Sequence, residues 1–179
     1  MRMRIFVIGA IVAISVGAVS AGCSGGGGGE LTLAEYFAEY ERIDNAAESR
    51  TEQLQNEYAD VLSATTLDEA TRTGLKEYFE KQVAARRAYL NGIGDLKPPD
   101  KATAAHDESV TAYEAVLAAF EPVVVDLETA STISDLDRIF SGPALTDAIA
   151  RADESCRTLQ TLADDNDINA NLECAVAGS

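Results

Sequence analysis

The chain has 179 residues, 46% of them hydrophobic and 25% charged, and its 30 acidic residues outnumber 14 basic ones for a net charge of −16. Such a surface keeps a chain soluble and repels nucleic acid, so no nucleic-acid partner is expected. A single histidine excludes the zinc and di-iron helical sites that need two. Neither a Gly-x-Ser-x-Gly elbow nor a phosphate-binding glycine loop is present, and no cofactor or metal is expected.

Residues 1–22 read as a secretion signal, with Arg2 and Arg4 before an apolar run from Ile5 to Val19 and the small residues Ser20, Ala21 and Gly22. As a helix, that run would rise only about 22 Å, short of the roughly 30 Å hydrocarbon core, so a permanent membrane span is the weaker reading. The segment Val19-Ser20-Ala21-Gly22-Cys23 resembles the bacterial lipobox, which implies lipid attachment at Cys23. It departs from the commonest form at Ser20, where a branched aliphatic residue is usual. The competing route is ordinary cleavage after Ala21, leaving Cys23 as a free thiol. Residues 23–30 form a Gly-rich tether, reaching about 13 Å on average as random coil. Residues 31–179 are then one domain.

A first helix is predicted over residues 32–63. Thr32 and Glu35 form a capping box, with Leu31 and Tyr36 placed as a hydrophobic staple. Leu33, Tyr36, Phe37, Tyr40, Ile43, Ala47, Leu54, Tyr58, Val61 and Leu62 share one face. A second box at Thr66 and Glu69 opens the next helix, with Leu67, Leu75, Tyr78, Phe79, Val83, Leu90 and Ile93 as its stripe. Gly74 marks a weak point inside that helix, and Gly92 and Gly94 end it. The link from Asp95 to Pro99 redirects the chain.

The third helix starts near Pro99 or Asp100. Its seam is His106, Val110, Tyr113, Leu117, Phe120, Val124 and Leu127. Pro122 should kink or divide it, because proline lacks an amide and clashes with the carbonyl of Ala118. A short helical piece around Ser134 to Phe140 precedes a fourth helix that has Pro143 in its first turn. The stripe of that helix is Leu145, Ile149, Ala152, Cys156, Leu159 and Leu162 or Ala163, and the chain turns irregular after Asp164. No segment alternates as a strand would. The expected fold is an all-α, antiparallel four-helix bundle, up-down-up-down, closed by a disulfide-stapled C-terminal tail.

If Cys23 carries lipid, Cys156 and Cys174 are left as a pair, and export permits their oxidation. The bridge would fold the tail back along the bundle. His106 has two readings: a core group hydrogen-bonded to the backbone of the Pro98-Pro99 link, or a ligand or pH-sensitive group beside Asp107 and Glu108. Asp165, Asp167, Asn169 and Asn171 have the spacing that begins a calcium loop. The pattern then fails at Ala170 and Val176, which favours a polar helix end and turn. The aromatic residues Tyr36, Phe37, Tyr40, Tyr78, Phe79, Tyr113 and Phe120 read as core rather than as the lining of a pocket.

The lipobox, the helical ectodomain, Pro98-Pro99 followed by His106, and Cys156 with Leu172-Glu173-Cys174 together resemble a group of uncharacterised exported lipoproteins of bacteria. The resemblance implies no activity and supplies no catalytic residues. The expected function is a non-enzymatic binding or interaction domain, anchored by its N-terminal lipid on the extracytoplasmic side of the cell membrane, with an unknown protein or small-molecule ligand. The runner-up is a small-molecule or metal carrier with a pocket between helices, and a hydrolase comes last.

Overall fold

A computed structural model describes residues 31–172 and 174. The leader, Cys23, the tether and Val176 lie outside the described residues. Six helices follow one another: α1 (Leu33–Glu57), α2 (Ala59–Leu62), α3 (Glu69–Gly94), α4 (Asp100–Asp126), α5 (Ile133–Phe140) and α6 (Pro143–Asp164). Among the described residues there is no strand.

The first capping box forms as read. Thr32 Oγ1 accepts from the Glu35 amide at 3.3 Å, and Glu35 Oε2 accepts from the Thr32 amide at 3.0 Å. The helix itself stops earlier than expected, because Tyr58 leaves the helical region at φ −108°, ψ 18°, and the single turn of α2 follows. That break brings Val61 onto Gly74, where a Cβ would lie only 2.7 Å from Val61 Cγ2. Gly74 therefore admits a close approach between helices, and α3 runs through it unbroken.

The second capping box is corrected. α3 is capped by Asp68, whose Oδ1 accepts from the Thr71 amide at 2.8 Å, and Thr66 lies before the helix. A carboxylate nearer the helix wins over a more distant hydroxyl, since it pairs with the exposed amides and also meets the positive end of the helix dipole. Pro122 does not divide the third helix: α4 continues to Asp126. Both Pro122 and Ala118 are exposed, so water can satisfy the carbonyl that the missing amide leaves behind.

The helices pair in the order α1 with α3, α3 with α4 and α4 with α6. Tyr40, early in α1, meets Tyr89, late in α3, while Glu57 at the end of α1 meets Lys81. Phe79 of α3 meets Phe120 of α4 and also Phe140 of α5. One core cluster holds Leu54, Leu75, Tyr78, Phe79, Phe120, Leu127 and Leu145. A second holds Tyr36, Phe37, Tyr40, Ile93, Leu159 and Leu172.

The buried face of α4 differs from the expected seam. Ser109, Ala112, Val116 and Val123 are buried, and the adjacent residues of the expected seam, Val110, Tyr113, Leu117 and Val124, are only half-buried. The reason is the small-residue contact with α6, where Ala112 and Val116 pack against Ala148 and Ala152. A seam drawn through the bulkiest side chains misses a face chosen for closeness.

Candidate functional site

Two of the buried polar side chains, His106 and Ser109, meet tyrosines near the start of α1, while buried Gln82 donates to Tyr78 in the other core cluster and Ser155 to the Ala152 carbonyl of its own helix. Tyr36 lies one turn before Tyr40 on α1, and His106 lies nearly one turn before Ser109 on α4, so the two pairs face each other in register. Tyr36 Oη is 3.2 Å from His106 Nδ1, and Tyr40 Oη is 2.9 Å from Ser109 Oγ. Tyr89 of α3 donates to Tyr40 Oη at 3.2 Å, and its ring meets that of Tyr113 with centroids 5.0 Å apart.

His106 is thus buried and paired with a tyrosine, not with the Pro98-Pro99 backbone that its position in the sequence suggested. Burial holds its imidazole below the ordinary value, with Asp107 pulling the other way. Burial likewise raises the hydroxyls of Tyr36, Tyr89 and Tyr113, and neighbouring tyrosines add to the effect. The groups that titrate therefore stay neutral together, the state in which each can donate or accept one bond without burying charge. Tyr89 and Ser109 were not singled out in the sequence. Ser109 was findable, since it falls between His106 and Tyr113 at helical spacing.

Cys156 and Cys174 form the expected disulfide, with Cα atoms 5.6 Å apart. Cys156 sits in the buried face of α6, and Cys174 is half-buried. The tail reaches it by reversing after α6. Asp167 takes a left-handed φ of 55°, and the Ile168 amide donates back to the Ala163 carbonyl at 3.0 Å. This is a Schellman turn with Asp in the place glycine usually takes. The alternation of Asp165 and Asp167 thus belongs to a helix end. Among the described residues, no three His, Cys, Asp or Glu side chains gather as a metal site.

Open hollows lie on the surface formed by the described residues, and two of them can be placed. One of about 530 Å³ is lined by Leu33, Ala34, Pro99, Asp100, Lys101, Asn166 and Ile168, where α1 and α4 begin and α6 ends. The other, of about 350 Å³, lies around Asp126, Asp135, Arg138 and Gly142. His106 lines neither. The aromatic residues expected in the core are buried, except Tyr113, which is half-buried.

Compared with protein-family models, curated proteins and solved structures, the chain matches none.

Proposed function

We propose that this protein is a bacterial surface lipoprotein, held by a lipid on Cys23 at the extracytoplasmic face of the cell membrane, and that its helical domain binds a partner without catalysing a reaction. The observation that carries the reading is the leader 1–22, which is followed at once by Cys23, Ser24 and the glycine run 25–29. The described domain then starts with the capped α1 at Leu33, so the tether would leave from the end where α1 and α4 begin. The pairings of α1, α3, α4 and α6 support a four-helix antiparallel bundle, up-down-up-down, with α2 and α5 as short additions. No helix among the described residues is long and apolar enough to cross a membrane, so in this reading the lipid is the attachment.

The interaction role is supported by where the titratable core groups lie: His106 and the tyrosines are engaged with one another. A carrier is the second reading, and it rests on the hollow of about 530 Å³. Metabolic labelling with a fatty-acid analogue should mark the wild type and not Cys23→Ala; equal labelling of both would sink the anchor. Native mass spectrometry of the detergent-solubilised protein then separates the two roles. A bound protein supports the first and a bound small molecule the second.

A further inference from the structure

Cys156 and Gln160 lie one turn apart on the same face of α6, and both are directed at one stretch of the tail. The Gln160 amide uses both ends: Nε2 donates to the Ala170 carbonyl at 2.9 Å, and Oε1 accepts from the Leu172 amide at 3.0 Å. One side chain thereby supplies the donor-acceptor pair that a neighbouring strand would offer. Asp164 Oδ1 also accepts from Nε2, at 2.9 Å, which settles the orientation of the amide. Glu41 of α1 accepts from the Asn171 amide at 3.4 Å, and Leu172 is buried in the core cluster that holds Cys156 and Leu159.

Cys156 Sγ lies 3.5 Å from the Leu172 carbonyl. In the disulfide this sulfur has no hydrogen to donate. A reduced Cys156 would carry one and would find its acceptor already in place.

We infer that Gln160 is the positioning residue for the Cys156–Cys174 bridge: it docks the tail in register before the bridge closes and keeps it docked when the bridge opens. Cys174, half-buried, is the sulfur that reagents reach, while Cys156 is 5% exposed. Closure with an external disulfide starts when the Cys174 thiolate attacks one of its sulfurs and displaces a first thiolate. The Cys156 thiolate then attacks the Cys174 sulfur and displaces the second. The two protein thiols are oxidised, the reagent is reduced to two thiols, and the two protons released by the cysteines are taken up by the leaving thiolates or solvent.

The test uses the full chain carrying Cys23→Ala, so that only these two sulfurs react. The reduced protein is mixed with oxidised glutathione, quenched by alkylation and weighed, which times the intramolecular closing step. Gln160→Leu should slow closure by about tenfold or more, the factor expected from losing two hydrogen bonds that hold the tail. Gln160→Glu keeps the acceptor for Leu172 but not the donor, and should fall between. A rate for Gln160→Leu within about twofold of the parent overturns the inference, whatever happens to the melting temperature. If Gln160→Leu does not fold, amide exchange at Leu172 in the reduced parent decides. Protection there supports a docked tail, and exchange at the unstructured rate refutes it.

Discussion

Gly74 and His106 show opposite limits on a single residue. In an exposed helix, Gly74→Ala would gain about 1 kcal/mol from propensity. Here the new methyl meets Val61 Cγ2 at 2.7 Å, and Val61 is held in place by the turn of α2. Overpacking of this kind costs about 1–3 kcal/mol, so the net change is expected to be destabilising by up to about 2 kcal/mol, read from urea midpoints. A more stable variant would mean that α2 yields easily. The signal in the sequence was a glycine inside a helical stripe, which marks a weak point or a close approach without choosing between them.

The pH dependence follows from His106. Its imidazole is held below the ordinary value of 6.5, so the folded state prefers it neutral. The associated stability is complete above 6.5 and is lost as the pH falls from there through the lowered folded value, because the unfolded chain takes up the proton first. Asp153, whose carboxyl is raised by burial, acts in the opposite sense, gaining stability on acidification. Comparison with His106→Gln isolates the histidine. The parent should lose more stability than the variant between about pH 7 and about pH 5.5. Equal losses would show that His106 charges freely where it stands.

At the scale of elements, caps were read more securely than ends. Thr32-Glu35 formed as expected because both members of its box act on one another. Thr66 and Glu69 have the same spacing, but Asp68 lies closer to the first turn and takes the role. Asp68→Ala is expected to cost about 1 kcal/mol and Thr66→Ala only a few tenths, measured by chemical denaturation. The reverse order would place the cap at Thr66. The run of apolar residues across Tyr58 gave no hint of the break there, since α2 keeps Val61 and Leu62 against the same core. Periodicity reports which side is buried, and a local change of backbone angles leaves it almost untouched. The division of the helix at Pro122 does not occur, for a related reason. The rule concerns the lost amide, but its cost depends on whether the orphaned carbonyl reaches water, which only the fold decides. The clasp of Gln160 on the tail was not legible either, because its partners are backbone groups whose register exists only after the chain has turned at Asp167.

For the whole molecule, charge is the quantity that local pairing does not balance. The ion pairs Glu39–Arg42, Lys76–Glu128, Lys81–Glu57, Arg87–Glu121 and Arg157–Glu154 are all solvent-accessible, and such pairs contribute between nothing and about 1 kcal/mol each. Against them stands a net charge of −16, whose self-repulsion is greatest in the compact state. Salt screens both effects, and the Debye length falls from about 30 Å at 0.01 M to about 8 Å at 0.15 M. Contacts of a few ångströms lie inside either length, whereas repulsion across a domain acts over distances comparable with the longer one. Screening should therefore remove more repulsion than attraction. The melting temperature is expected to rise by a few degrees between about 0.01 and about 0.15 M sodium chloride, followed by circular dichroism. A fall over the same range would mean that the surface pairs outweigh the net charge. The disulfide gives an internal control, because the bridge stabilises chiefly by constraining the unfolded chain, by about 3 kcal/mol for a loop of this size. Cys156→Ser with Cys174→Ser should lower the melting temperature at both salt concentrations while leaving the salt-induced rise unchanged, since the substitution alters no charge.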